Sequence, residues 1–171
     1  MVYWGIQLQL LIYLAAALRQ TPGAQPAGFF YCRIADPMIK TEQRIKEEVE
    51  RQIAKKLALA GISLSDVAIL SAQDAHHQQM ITKDGKPSGR YSASMVDGQG
   101  MQALVDFAKG KASSLAQAAF GGEIDDAPAT LGTYNACTFC DYAAVCGFDP
   151  ARKQRRRLGK KKLEDLTGTG I

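Results

Sequence analysis

The sequence predicts an α/β domain, with helices packed on a small mixed sheet, ending in a cysteine-rich loop. Three observations carry this reading. Apolar residues recur at helical spacing in three long stretches. A short aromatic and β-branched run between the first two reads as a strand. Three cysteines, Cys137, Cys140 and Cys146, crowd one turn-rich segment near the end. A chain of 171 residues makes one ordinary domain with a sizeable core. Its 46% hydrophobic and 22% charged residues set it among globular proteins and exclude a disordered chain.

The elements follow in order. Tyr3 to Leu18 reads as a helix with Ile6, Leu10, Leu14 and Ala17 on its buried stripe, and Pro22-Gly23 ends it. Gly28 to Ile34 reads as a strand closed by Asp36-Pro37. Thr41 to Ala60 is the clearest helix. Ile45, Val49, Ile53 and Leu57 form its stripe, Glu47 and Arg51 pair at i,i+4, and Gly61 caps it. Val67 to Leu70 is apolar enough for a strand. Met80-Ile81 and Tyr91-Ser92 flank Lys83-Asp84-Gly85-Lys86-Pro87 as a hairpin with a long turn. Gln102 to Phe120 is the last helix. Leu104, Val105, Ala108, Ala112, Leu115 and Ala119 point inward, Gly110 weakens its middle, and Gly121-Gly122 stops it. Beyond Pro128 the chain reads as loop.

The N-terminal apolar stretch contains Gln7 and Gln9 and has no basic region before it. It reads neither as a secretory signal nor as a membrane span, which points to a cytoplasmic protein with no membrane partner. Clustered cysteines in such a chain read as metal ligands rather than disulfides. Two residues separate Cys137 from Cys140 and five separate Cys140 from Cys146, a spacing that lets three thiolates converge on one centre. Closed zinc and iron–sulfur sites take four ligands. The spacing leaves the fourth open between Cys32, a histidine and a group outside this chain. Cys32 lies in an apolar run where a thiol packs as a small hydrophobe. His76 and His77 are adjacent, cannot both face one site on a regular element, and read as a surface loop.

The net charge is +4, and its basic excess lies at the end. Arg152, Lys153, Arg155, Arg156, Arg157 and Lys160-Lys161-Lys162 form a block that can screen phosphates, or can simply be a solvated terminus. On the first helix, Gln9 and Tyr13 are four apart and share a face. Such a pair can orient a phosphate or a metal-bound water, or can merely satisfy hydrogen bonds in a core helix. No paired carboxylates accompany it. Asp36 reads as a strand stop, and Asp125-Asp126 as solvated residues of a loop.

Gly5-Ile-Gln-Leu-Gln9-Leu-Leu-Ile-Tyr13-Leu14 resembles the Gln-x-x-x-Tyr motif of RecB-type nucleases in the PD-(D/E)XK superfamily. The run Pro26 to Ile34 with Asp36-Pro37, and the charged helix ending Leu59-Ala-Gly61-Ile-Ser-Leu64, follow in the same order. The segment Cys137-x-x-Cys140-Asp-Tyr142-x-x-Val145-Cys146-x-Phe148-Asp149 resembles the cysteine signature of the AddB subunits of bacterial AddAB helicase–nucleases. The resemblance runs nearly to Pro150.

That resemblance implies the C-terminal portion of a PD-(D/E)XK fold. Residues 1–136 would be a partial nuclease domain, 137–150 an iron–sulfur segment and 151–171 a flexible basic tail. It implies a [4Fe–4S] cluster on Cys137, Cys140 and Cys146, with a fourth cysteine far upstream and outside this chain. It implies Mg²⁺ in the intact nuclease and ATP in the intact complex. The expected partners are an AddA-type helicase subunit, double-stranded DNA ends and single-stranded DNA. The expected role is resection of broken ends in recombinational repair. Gln9 and Tyr13 would be accessory catalytic residues, with Arg152, Lys153, Arg155, Arg156 and Arg157 as DNA contacts. The family's carboxylates and Asp-x-Lys element precede the Gln/Tyr helix and are missing here. This chain is therefore expected to be a piece of a longer subunit, inactive alone, with Met1 an artificial or misassigned start. The alternative is a non-enzymatic zinc-binding or DNA-binding adaptor. A thiol redox protein using Cys137 and Cys140 lacks the strand-then-helix context of such a pair.

Overall fold

A computed structural model describes residues 1–40, 45–73 and 75–167, with the side chains of Ala75 and His76 left aside. The chain does not enter its first helix directly. Val2–Trp4 forms a single 3-10 turn, and Gly5 then adopts φ 79°, in the left-handed region. Helix α1 starts only at Gln9 and runs Gln9–Gln20. The expected start at Tyr3 fails because a glycine with positive φ breaks the helical path. A Cβ on Gly5 would stand 2.7 Å from Leu115 Cδ1. Gly5→Ala should therefore cost at least the ~1–2 kcal/mol of a left-handed non-glycine residue, measured by chemical denaturation.

The first sheet is mixed, in the order β1-β2-β3, as the fold class requires. Strand β1 (Gly28–Tyr31) pairs antiparallel with β2 (Ala60–Leu64), with Phe29 opposite Ile62 and Phe30 opposite Gly61. Strand β2 pairs parallel with β3 (Met95–Val96). Gly61 is thus a strand residue, not a helix cap. A Cβ there would run into the Phe29 carbonyl oxygen, so only glycine lets the two strands approach.

Helix α2 spans Lys46–Leu57, and residues 41–44 of the expected helix lie outside the described residues. Its apolar stripe is only half-buried at Val49, Ile53 and Leu57, and Ile45 is exposed. Arg51 pairs with Glu48 at 2.8 Å rather than with Glu47. Val67–Ala72 is helix α3, not a strand. The Asp66 carboxylate accepts from the backbone N–H groups of Ala68 and Ile69, and that N-cap decides against the β-branched composition. Helix α4 (Ala75–Gln78) carries His77, which is buried edge-on against Phe30 rather than in a surface loop. The turn at Lys83–Lys86 forms with Gly85 at φ 69°, and Ile81 bridges Pro87. Tyr91 and Ser92 lie in a 3-10 helix, Gly89–Ser94, instead of a returning strand.

Helix α5 (Gly98–Phe120) is capped by Asp97, whose carboxylate accepts from Gly100 N at 2.7 Å. It passes unbroken through Gly110. Met101, Leu104, Val105 and Ala108 are buried, while Leu115, Ala119 and Phe120 are exposed, so its last turns leave the core. The main core joins Leu11 of α1 to Val96, Met101, Leu104 and Ala108, with Leu8, Ile12, Leu14, Phe29 and Ile62 around it. The buried face of α1 is therefore set by Leu8, Leu11, Ile12 and Leu14; Leu14 lies on the expected stripe, and Ala17 of that stripe is exposed. In an almost wholly apolar helix, packing on α5 selects the face, and spacing alone does not.

A second small sheet, order β5-β4-β6, follows where loop was expected. Strands β4 (Ala129–Leu131) and β5 (Tyr134–Asn135) are antiparallel. Strand β6 (Arg156–Arg157) lies parallel on the other edge of β4. Helix α6 (Glu164–Thr167) packs on α5, and Leu163 and Leu166 join the main core. The described part of 151–171 is thus built into the fold rather than a loose tail. Backbone pairing and two leucines anchor it despite its charge. No helix among the described residues is long and apolar enough to cross a membrane.

Candidate functional site

Helix α1 turns Leu11 into the core, and this places Gln9 and Tyr13 on its opposite, exposed face. Gln9 Nε2 donates to the Tyr13 hydroxyl oxygen at 2.9 Å. The predicted pair is real, and it is not a core contact: Tyr13 is 61% exposed. A hydroxyl that accepts from an amide keeps its own proton free to donate outward, and the Gln9 carbonyl oxygen remains an acceptor. The face can therefore both give and accept hydrogen bonds to a ligand in solvent.

The three cysteines occupy the crossover that leaves β5 on one edge of the second sheet and returns as β6 on the other. The crossover is a chain of tight turns. Cys137 N donates to Asn135 Oδ1 at 3.0 Å, and Cys146 N donates to the Tyr142 carbonyl at 2.9 Å. Cys137 is half-buried, Cys140 and Cys146 are exposed, and none is in a disulfide. Three accessible thiols on one segment fit, by donor chemistry, three corners of a thiolate-ligated cluster. Of the aromatic residues in this segment, Phe139 and Tyr142 are exposed and Phe148 is half-buried. Among the described residues, no three His, Cys, Asp or Glu side chains gather closely enough to hold a metal ion. Cys32 follows β1 and is exposed, so it does not pack as a small hydrophobe.

Several carboxylates are committed elsewhere. Gln52 and then Arg51 hold the Glu48 carboxyl below its usual range, and Gln102 and Lys109 do the same for Asp106. Asp126 is not merely solvated. Lys153 donates to both its oxygens, at 2.7 and 2.5 Å, and lowers its pKa. A depressed aspartate contributes above its unfolded pKa and loses that contribution as pH falls through its folded value. This tie between the crossover's end and the loop after α5 is therefore complete at neutral pH.

The profile of the PD-(D/E)XK nuclease superfamily matches residues 1–147. The chain belongs to the PD-(D/E)XK nuclease superfamily. It is 33% identical, over 95% of its length, to a protein of Alkaliphilus metalliredigens named as a subunit of an ATP-dependent helicase/deoxyribonuclease. Proteins of the same name from Clostridium tetani and Moorella thermoacetica are 36% and 33% identical, over 96% and 98% of this chain. The chain spans only 15–16% of the length of these relatives.

Within this PD-(D/E)XK chain the cations divide into two groups. Arg152 faces Asp149, Lys153 is tied to Asp126, and Arg155 lies over the Phe148 ring at 5.4 Å. Arg156 and Arg157 of β6 are exposed, as are Lys160 and Lys162. Sequence reasoning missed the residues that hold the segment after β6. Trp4 Nε1 donates to the Gly159 carbonyl at 2.9 Å, and Lys161 Nζ stands 4.9 Å from the centre of the Tyr3 ring. The available signal was the chain's one tryptophan beside Gly5, together with Leu158, Leu163 and Leu166 spaced through a charged segment.

Proposed function

We propose that this chain is the part of an AddB-type subunit of an ATP-dependent helicase/deoxyribonuclease that carries the accessory side of its nuclease site. The observation that carries the reading is the exposed Gln9–Tyr13 pair, in a chain of this superfamily that aligns almost end to end with helicase/deoxyribonuclease subunits. The subunit resects double-strand DNA ends in recombinational repair as a Mg²⁺-dependent exonuclease. Carboxylates and a lysine from polypeptide outside these residues hold the metal. Gln9 and Tyr13 would orient the attacked phosphate or the attacking water through their exposed hydrogen-bonding groups. An AddA-type helicase subunit is the partner, and ATP drives the complex along DNA in the cytoplasm.

Cys137, Cys140 and Cys146 supply three ligands to a [4Fe–4S] cluster, and the fourth lies outside this chain. Cys32 is not that ligand. The three belong to the crossover of the second sheet, whereas Cys32 follows a strand of the first. When bound, the cluster supplies a cross-link rather than chemistry at the phosphodiester. Of the cations expected to meet DNA, Arg152, Arg156 and Arg157 are exposed and suit its backbone, whereas Lys153 is tied to Asp126 and Arg155 lies over Phe148.

The test is degradation of end-labelled linear duplex in Mg²⁺. A polypeptide of the relatives' full length should degrade it and spare closed circular duplex, and the 171-residue chain alone should leave both intact. Cleavage by the 171-residue chain that disappears in Gln9→Ala and Tyr13→Phe would overturn the reading that the metal site lies elsewhere.

A further inference from the structure

The path of the chain after the cysteine crossover points back to α1. Arg156 N donates to the Pro128 carbonyl at 3.0 Å and Leu158 N to the Thr130 carbonyl at 2.8 Å, so the segment leaves along β4. It then crosses the N-terminal turn. There the Gly159 carbonyl accepts from Trp4 Nε1, and Lys161 caps the face of Tyr3. Tyr3 is itself wedged between Trp4, edge-on at 4.9 Å, and Phe107 of α5, stacked at 5.8 Å. The segment ends with half-buried Leu163 and Leu166 packed against the core cluster that contains Leu11. Between the Trp4 contact and the first residue of α1 lie only Gly5 to Leu8, bent at the left-handed Gly5.

We propose that Trp4 and Lys161 form a latch, in which the segment after the cysteine crossover is docked onto the turn that launches α1 and thereby positions Gln9 and Tyr13. The functional half of this inference rests on Gln9 and Tyr13 working at the cleaved phosphodiester. The mechanical half does not. Trp4 and Lys161 are positioning residues. They touch no substrate, and they act by fixing where α1 begins. The latch also links the cysteine crossover to the Gln9–Tyr13 face through a strand, one indole hydrogen bond and one cation–π contact.

Hydrogen exchange on the 171-residue chain tests the mechanical half. Trp4→Phe keeps an aromatic edge on Tyr3 and removes the indole donor. It should speed exchange about five-fold, the size of one net hydrogen bond, both in 158–167 and in the first turns of α1. Amides of the β1–β2 ladder should keep their rates. Lys161→Ala should loosen the same two regions, and Lys161→Arg should restore both, because a guanidinium also stacks on a ring. Faster exchange in 158–167 with α1 unchanged would overturn the latch, and so would a uniform rise that includes the β1–β2 ladder.

In the full-length polypeptide, Trp4→Phe should lower kcat for linear duplex and leave KM unchanged. An unchanged kcat alongside the coupled exchange would show that the latch is structural only. If Gln9→Ala and Tyr13→Phe also leave kcat unchanged, the reading of the site fails instead, and the exchange result stands.

Discussion

Replacing Cys137, Cys140 or Cys146 by serine in the full-length subunit is expected to abolish iron binding and weaken DNA-end binding. In the proposed cluster each thiolate would be one of four ligands, and loss of a direct ligand should exceed the about 10–100-fold that changes to outer-shell partners cost in metal affinity. The crossover shows why the effect should spread. Most of its residues are exposed and held by local turns, and its two ends are the strands β5 and β6. A ligand that closes the crossover also fixes β6 and the segment behind it. Cys32→Ser should leave iron in place. Iron analysis and visible absorption of the four variants decide the matter, and loss of iron on Cys32→Ser would move the fourth ligand into this chain.

The second large effect is expected at Tyr13. Removing its hydroxyl as Tyr13→Phe should lower kcat for duplex degradation by roughly 10²- to 10³-fold, the range for one preorganised donor at a developing charge. Stability should change by no more than about 0.5 kcal/mol, as for other exposed positions. The ring faces solvent and Leu11, not Tyr13, is buried. A fall in melting temperature with normal cleavage would make the pair a structural contact.

The pairing of Gln9 with Tyr13 was more legible in the sequence than the bounds of the elements. Gln9 and Tyr13 at i,i+4 needed only a helix, and both lie on one face with a hydrogen bond between them. Strand β1 was legible as an aromatic run, and α5 as a long periodic stretch. The buried face of α1 was not legible, because Leu8, Leu10, Leu11, Ile12 and Leu14 allow more than one stripe and only packing on α5 selects Leu11. Strand β2 hid behind Gly61, which looks like a helix stop until Phe29 and Phe30 are placed beside it. The second sheet was invisible for a different reason. Strands of two or three residues carry no alternation, and β6 is a pair of arginines held by its backbone alone. Docking of 158–167 depends on partners more than 150 residues away, Trp4 and Tyr3, which no local pattern reports.

A double-mutant cycle tests the central claim that Gln9 and Tyr13 act together on the cleaved phosphodiester. Single-turnover cleavage of linear duplex would be measured for the full-length subunit, Gln9→Ala, Tyr13→Phe and the double variant. Gln9 Nε2 donates to the Tyr13 hydroxyl, so the two groups form one unit and their losses should not add. The expected result is a double variant no slower than about threefold below Tyr13→Phe alone, with DNA-end binding unchanged throughout. Cleavage at the wild-type rate in all three variants would contradict it.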